Sequence, residues 1–198
     1  VVRPTIGEVT AEGNGSNGED GKVTPEMRSE ADALVDEFIQ TFVEDLTKNI
    51  NDIKSDPFRI DLKNSMKEMR TRKLRRRSPE EQKVIKEFVE KMEACGMLVR
   101  CDAPSAAPLV LVRRNSKIRI CVDYRELNEN TTPNVFPQTR ADEVLAGFSG
   151  AKYFSTLDAT SGYWQVAIHE DSQIHTAFRC QEGTFKWTRL PFGLINAP

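Results

Sequence analysis

The chain has 198 residues, of which 38% are hydrophobic and 29% charged, and its formal net charge is −2. This length predicts one domain or part of a larger one, with enough apolar residues for a core. The longest apolar run, residues 106–112, is far too short to cross a bilayer, and no secretory signal opens the chain, so no membrane association is expected.

The first 23 residues predict a flexible linker. Gly13, Gly15, Gly18 and Gly21 are interleaved there with Asn, Ser, Glu and Asp, a composition that cannot bury a core. The chain does not begin with Met. We therefore expect an internal piece of a polyprotein or an incomplete reading frame.

Residues 24–56 predict an amphipathic helical lead-in to a domain over residues 57–198. Thr24-Pro25-Glu26 is typical of a helix start, with Pro at the first helical position. Apolar residues then recur at helical spacing from Leu34 to Ile50. The partner of this stripe is either the rest of the domain or another chain, and the periodicity does not decide between them.

A basic segment follows a short extended stretch predicted over 58–62. Six of the eight residues from Arg70 to Arg77 are basic, and between residues 70 and 125 the 15 basic residues outnumber the 7 acidic ones. The segment predicts phosphate contacts along a nucleic-acid backbone. A solvated basic run and a nuclear-import signal are the alternatives. The basic residues are Arg70, Arg72, Lys73, Arg75, Arg76 and Arg77.

The middle of the chain predicts a helix and a hairpin. Ser78-Pro79-Glu80-Glu81 is a capping box, an apolar stripe follows over 84–92, and Gly96 ends the helix. Two apolar runs, 109–112 and 118–122, predict strands of a hairpin, and a short helix is predicted over 140–146. A second hairpin is predicted from 175–180 and 185–189, and 169–173 is predicted to be a turn.

The cysteine and histidine pattern predicts free thiols. Four cysteines are present, none with CxxC spacing, and His169 and His175 complete no zinc pattern. Free thiols are typical of a reducing, intracellular compartment. Cys121 lies in an apolar strand and is expected in the core.

The stretch 153–168 carries the main candidate residue, Asp158. The apolar run Phe154–Leu157 predicts a buried strand that ends at Asp158, and 166–168 predicts a second strand. An acid at the end of a buried strand is costly unless it is paired. Its partner is either Mg²⁺, which takes carboxylate oxygens, or the turn that Asp158 caps.

Several segments, in this order, resemble the reverse transcriptases of long-terminal-repeat retrotransposons, in particular those of the Ty3/gypsy type. The matching extends from about residue 58 to residue 198. The resemblance implies an α+β fold: right-hand polymerase fingers plus a partial palm with an antiparallel sheet. The segments that carry it are Pro108–Val112, Arg119–Asn128, Gly150–Ser155, Tyr153–Ile168 as motif A, His175–Phe178, and Arg189–Pro198 as motif B.

The resemblance also implies site residues. Asp158 is the catalytic carboxylate that binds Mg²⁺ or Mn²⁺, joined by the carbonyl of Ala159. Tyr163 packs under the sugar and excludes a 2′-hydroxyl, although ordinary core is the alternative for such a ring. Arg125 contacts the template strand. The other implied nucleotide-binding residues are Arg114 (or Arg113, if the turn is shortened), Arg119, Ser161, Gly162 and Phe192.

The implied function is that of an RNA-directed DNA polymerase, which joins nucleotides with two metal ions roughly 4 Å apart. The family's other catalytic aspartates lie in an aromatic-x-Asp-Asp hairpin that does not occur here, so this piece alone is expected to be inactive. The implied partners are an RNA template, a DNA primer, dNTPs and the rest of a polyprotein with palm, thumb, RNase H and integrase parts. A cytoplasmic particle and the nucleus both remain open as locations. The alternatives are a non-catalytic nucleic-acid-binding remnant and a helical protein-interaction module.

Overall fold

The computed structural model describes residues 23–39, 54–66, 69, 74–114, 117–135, 137, 139–151 and 153–197. The chain divides into two compact units. One, here called the sheet unit, comprises residues 46–135 and 161–198. The other, here called the Asp158 unit, comprises residues 1–45 and 136–160. The boundaries predicted at residues 23 and 56 remain predictions.

The sheet unit is built on five strands in the spatial order β1-β5-β4-β2-β3. Three of the four pairings are antiparallel, whereas β2 and β4 pair in parallel. The predicted α+β class is therefore confirmed, but this sheet is mixed rather than antiparallel. A parallel pair needs a long connection, and the chain between β2 and β4 supplies it. The strands are β1 Leu98–Arg100, β2 Ala107–Arg114, β3 Lys117–Val122, β4 Phe178–Cys180 and β5 Gly183–Trp187.

Both predicted hairpins are present. Strands β2 and β3 pair from Leu109↔Val122 to Arg114↔Lys117, and β4 and β5 pair from Phe178↔Phe185 to Cys180↔Gly183. Gly183 has φ +136°, a conformation that favours glycine. The second hairpin is shorter than predicted because residues 174–176 form a 3₁₀ turn.

Helix α2, Pro79–Ala94, forms with both predicted ends. The Ser78 hydroxyl accepts from the Glu81 N–H at 3.2 Å, and the Glu81 carboxylate accepts from the Ser78 N–H at 3.1 Å. Gly96 follows the helix with φ +75° in the C′ position. The apolar face of α2 buries three side chains, Ile85, Val89 and Met92.

Two short helices of the sheet unit, α3, Arg125–Asn130, and α5, Glu170–Gln173, each bury one side chain, Leu127 and Ser172. Helix α5 replaces the turn predicted over 169–173. The buried Tyr124 hydroxyl donates to the Thr176 carbonyl at 2.9 Å, and burial raises the pKa of Tyr124 well above its ordinary value. The largest fully buried side chains include Phe178, Phe185, Met97, Leu98 and Leu127.

The extended stretch predicted over 58–62 is confirmed as two single bridges. Phe58 bridges Ile168 in parallel, and Leu62 bridges Thr131 in antiparallel orientation. The strand predicted over 166–168 is likewise reduced to single bridges. Ile168 bridges Phe58, and Ala167 bridges Arg189 in antiparallel orientation.

The Asp158 unit contains helices α1, Pro25–Glu37, and α4, Ala141–Gly147. Helix α1 begins as predicted, with the Thr24 hydroxyl accepting from the Met27 N–H at 3.3 Å. It ends at Glu37, and the part of the apolar stripe beyond residue 39 lies outside the described residues. No described residue of this unit is buried.

Two predictions of buried apolar structure are wrong. The run Phe154–Leu157 forms no strand, and Phe154 and Leu157 are 62% and 84% exposed. A strand needs a partner for its ladder, and no described segment pairs with this run. Cys121 is also exposed, whereas Ile118, Ile120 and Val122, which alternate with it along β3, are half-buried. Among the described residues, no helix has the length and apolar character needed to span a membrane.

Candidate nucleotide and metal site

The turn that carries Tyr163 follows directly after a residue in the left-handed backbone conformation. Ser161 has φ 47° and ψ 48° and precedes a 3₁₀ turn over Gly162–Gln165. The Trp164 N–H donates to the Ser161 carbonyl at 2.8 Å. The first N–H groups of such a turn, at Gly162 and Tyr163, have no acceptor within it.

Aromatic rings connect this turn to the core. Tyr163 and Phe192 meet edge to face, with ring centroids 5.2 Å apart and planes at 89°. Trp164 lies 5.8 Å from Phe192 and stacks on Trp187 at 6.1 Å. Trp187 in turn contacts the fully buried Phe178. Phe192 is 51% exposed, so the sheet unit presents an aromatic face whose inner rings are fixed by the core.

Sequence reasoning missed the side chain that holds the Phe192 loop, residues 190–196. The Asn128 amide donates to the Gly193 carbonyl at 2.8 Å, and its oxygen accepts from the Ile195 N–H at 3.0 Å. Gly193 has φ +96°. Asn128 is half-buried in a helix that was not predicted, and a single Asn gives no periodicity signal for this contact.

The β2–β3 register distributes the hairpin arginines between its two faces. Val112 lies opposite Arg119, and Arg114, two residues along the same strand, belongs to the same face. Arg113 belongs to the other face and forms an exposed ion pair with Glu80 at 3.5 Å. The register therefore places Arg114, rather than Arg113, on one face with Arg119.

Arg125 is paired with an acid that sequence reasoning overlooked. Its Nε and Nη2 atoms donate to the two carboxylate oxygens of Asp123 at 2.7 and 2.6 Å. The Asp123 side chain is 7% exposed and that of Arg125 is 72% exposed. Hydrogen bonding and the charge of Asp123 raise the pKa of Arg125. The guanidinium is thus oriented by a nearly buried carboxylate and keeps donors toward solvent.

The basic segment is described only in part. Arg70, Arg72 and Lys73 lie outside the described residues. Arg75 and Arg76 are exposed. Arg77 donates from Nη2 to the Leu109 carbonyl at 2.6 Å and so ties the end of the segment to β2.

Asp158 and Ala159 lie in an irregular, exposed segment of the Asp158 unit. A carboxylate and a carbonyl are the oxygen donors that Mg²⁺ prefers, so the donor type fits. Elsewhere in the described part of the chain, as here, no group of three His, Cys, Asp or Glu residues could hold a metal ion. The pair therefore fits part of a metal site.

The cysteines and His175 are further titratable groups. All four cysteines are free, and burial raises the pKa of Cys101 and of Cys180. Burial lowers the pKa of His175, so this side chain is neutral at pH 7.

Comparison with known proteins shows which class of domain the chain resembles. Residues 111–198 match the family model for reverse transcriptase (RNA-dependent DNA polymerase). This segment, which includes β3, the Tyr163 turn and the Phe192 loop, is thus similar to reverse transcriptase domains, as the motif order predicted.

The relatives are polyproteins of retrotransposons and viruses. The chain is 33% identical over 120 residues to the retrovirus-related Pol polyprotein from transposon 297 of Drosophila melanogaster, covering 58% of this chain and 11% of that polyprotein. It is 40% identical over 99 residues to that from transposon 412 of the same organism (46% and 8%). It is 38% identical over 101 residues to the enzymatic polyprotein of Cauliflower mosaic virus, strain D/H (48% and 15%). The chain thus spans less than a fifth of the length of each of these relatives.

The fold also matches solved structures. The native protease–reverse transcriptase of prototype foamy virus aligns with a TM-score of 0.74 over 90% of this chain and 24% of that one, at 22% identity. The foamy viral enzyme in complex with an RNA/DNA hybrid aligns with a TM-score of 0.72 at 19% identity, again over 90% of this chain and 24% of that one. At these identities the likeness confirms the polymerase fold.

Proposed function

We propose that this chain supplies the fingers and the first half of the palm of an RNA-directed DNA polymerase from a Ty3/gypsy-like element. The observation that carries the proposal is the contact of Tyr163 with Phe192. Two positions some 30 residues apart, each implied by the resemblance to face the nucleotide, meet at 5.2 Å on an exposed edge of the core. The similarity to transposons 297 and 412 supports the retrotransposon origin.

In this proposal the sheet unit binds the incoming dNTP. The rings of Tyr163 and Phe192 contact its sugar, and the N–H groups at the Ser161–Gly162 turn face its phosphates. Arg114 and Arg119, which share one face of the hairpin, supply the cations that a triphosphate needs. These roles remain proposals for each residue.

Asp158 and the Ala159 carbonyl would hold Mg²⁺, with Mn²⁺ as a substitute. When bound, such ions activate the attacking 3′-hydroxyl and stabilise the leaving pyrophosphate. The exposed carboxylate of Asp158 is accessible for this role. Since the described residues complete no set of three ligands, we expect residues 1–198 alone not to extend a primer.

The template and primer would contact Arg125 and the basic segment. Arg125 has its orientation fixed by Asp123 and keeps an exposed guanidinium. Arg75 and Arg76 are exposed and suit phosphate contacts. The RNA/DNA hybrid bound by the foamy viral enzyme supports the same class of partner here. Thumb, RNase H and integrase parts are proposed from the polyprotein relatives, and an intracellular location from the four free thiols.

One experiment tests this function against its nearest rival. A polypeptide that carries this chain and its downstream reading frame is assayed for primer extension on an RNA template with Mg²⁺ and dNTPs. Extension supports the polymerase. Duplex binding without extension, from a frame that lacks an aromatic-x-Asp-Asp hairpin, would instead support a non-catalytic nucleic-acid-binding remnant. The incomplete ligand set of the described residues is the observation that favours this rival.

A further inference from the structure

The Phe192 loop makes an exposed aromatic side chain part of a fixed surface. Phe192 itself is 51% exposed, so packing alone fixes it less firmly than a core residue. Below it, Pro191 is fully buried and Leu194 is 6% exposed. Between these two buried residues, Gly193 adopts a backbone φ of +96°. The peptide groups around this glycine need partners that hold the turn in one conformation.

We propose that Asn128 is a positioning residue that holds Phe192 against Tyr163. The proposal rests on the proposed function, in which these two rings face the nucleotide. Asn128 donates to the Gly193 carbonyl at 2.8 Å and accepts from the Ile195 N–H at 3.0 Å. A single amide thereby pairs with both sides of the turn that follows Phe192, as a strand neighbour would.

Helix α3 gives this amide a rigid base. Leu127 is 2% exposed, and the Asn128 N–H donates to the carbonyl of the buried Tyr124 at 2.7 Å. The Thr131 hydroxyl closes the end of the helix by donating to the Leu127 carbonyl at 2.7 Å. The Asn128 side chain therefore projects from a backbone that the core already fixes.

A second amide ties the far end of the same loop. The Asn196 oxygen accepts from the Asn134 N–H at 3.0 Å, and its nitrogen donates to the Thr132 carbonyl at 2.9 Å. Asn128 reaches from α3 to the loop, and Asn196 reaches from the loop to the segment after α3. The two amides thus hold the loop at points on both sides of Leu194.

The chain offers a matched control on the same helix. Asn130 forms the same kind of amide pair, donating to the Asn64 carbonyl and accepting from the Asn64 N–H, both at 3.0 Å. Replacing either residue by Asp keeps the acceptor and removes the donor, which leaves a carboxylate oxygen facing a carbonyl oxygen. Asn128→Asp disturbs the Phe192 loop, whereas Asn130→Asp disturbs the contact with Asn64. Both place one negative charge in α3.

Tryptophan emission of the whole 198-residue chain reads out the position of the loop without any need for polymerisation. The chain has two tryptophans, and Trp164 lies 5.8 Å from Phe192 and 6.1 Å from the other, Trp187. Acrylamide quenching of Asn128→Asp should rise from the wild-type value toward that of Phe192→Ala, in which Trp164 loses its cover. Asn130→Asp should stay at the wild-type value.

Two results would overturn the proposal: unchanged quenching in Asn128→Asp, or an equal rise in Asn130→Asp, which would show general loosening of α3. Asn128→Ala, which adds no charge, should repeat the rise if Asn128→Asp fails to fold. In a longer polypeptide that polymerises, Asn128→Asp should raise KM for dNTP roughly three- to tenfold with kcat little changed, as expected from the loss of about one to two hydrogen bonds. If that polypeptide does not polymerise, the proposed function fails while the quenching result still decides the role of Asn128.

Discussion

The two groups of proposed site residues lie in units that are packed very differently. In the sheet unit, Tyr163 and Phe192 lie at the edge of an aromatic cluster that continues through Trp187 to the fully buried Phe178. In the Asp158 unit, no described residue is buried, and Phe148 and Phe154 form an edge-to-face pair at 5.5 Å. The proposed nucleotide-facing rings are therefore positioned by a core, whereas the proposed metal ligand is carried by a segment that has none among its described residues.

This difference shows which of the proposed site residues are positioned by a core within their own unit. Rings that contact a sugar need close-packed neighbours that yield little. The five-stranded sheet and helix α2, which buries three side chains, supply such packing. A two-metal site needs several carboxylates from segments distant in sequence. Leu145 and Leu157 of the Asp158 unit are 67% and 84% exposed, so neither contributes to a core among the described residues.

The largest expected effect concerns Asp158. In a longer polypeptide that polymerises, Asp158→Asn should lower kcat by about 10³-fold or more, because the amide is a poorer metal ligand, while template–primer affinity stays unchanged. Primer extension and filter binding measure the two quantities. Asp142→Asn, another exposed acid of the same unit, is the control and should remain active. Substantial extension by Asp158→Asn would show that Asp158 is a turn cap and not a metal ligand.

The contrast in packing predicts unequal stability losses. Phe178→Ala should reduce the free energy of unfolding by about 3–5 kcal/mol, since it empties a fully buried site. Phe154→Ala should reduce it by less than about 1 kcal/mol, because that ring is 62% exposed. Urea denaturation followed by circular dichroism measures both. Similar losses at the two positions would remove the distinction between the units.

Sugar selection tests whether Tyr163 is more than a core residue. In the polymerising polypeptide, Tyr163→Ala should raise ribonucleotide use relative to deoxyribonucleotide use by about tenfold or more, or about 1.4 kcal/mol. The ring excludes the 2′-hydroxyl by steric contact, so Tyr163→Phe should keep the selectivity. Competitive incorporation gives the ratio. An unchanged ratio in a destabilised Tyr163→Ala protein would identify Tyr163 as ordinary core.

The basic segment should give the smallest effect. Neutralising Arg75 and Arg76 to Gln should make the dependence of log affinity on log salt shallower by roughly one unit per lost phosphate contact for an RNA–DNA duplex. Lys83 and Lys86 on α2 are equally exposed but pair with Glu87 and Glu90, so their replacement by Gln should leave the slope unchanged. Equal slopes for all variants would favour a solvated run or an import signal.

Local signals in the sequence predicted most of the sheet unit. The capping box at Ser78, the C′ role of Gly96 and both hairpins depend on neighbouring residues, and each is present in the structure. The parallel pairing of β2 with β4 was not predicted, because it joins Ala107 to Phe178, which are 71 positions apart, and no local pattern encodes it.

The candidate site residues were predicted from the order of the motifs, which assigns a role to particular positions along the chain. The resemblance implied a nucleotide-binding role for Tyr163 and for Phe192, and the structure places these two rings in contact. It did not predict the amide of Asn128 or the pairing of Asp123 with Arg125, since a single polar side chain has no periodicity. The buried strand predicted at Phe154–Leu157 was wrong because apolar character alone does not provide a pairing partner.

Hydrogen–deuterium exchange on the whole 198-residue chain tests the contrast between the two units most directly. Amides bonded within the sheet unit, such as those of Ala107 to the Ala177 carbonyl and Thr188 to the Met97 carbonyl, should exchange slowly. Amides of residues 154–159 should exchange at nearly the rate of an unfolded peptide, because that segment is exposed and belongs to no helix or strand. Protection of residues 154–159 equal to that of strand β5 would contradict the account, since the segment that carries Asp158 would then be as firmly packed as the aromatic face.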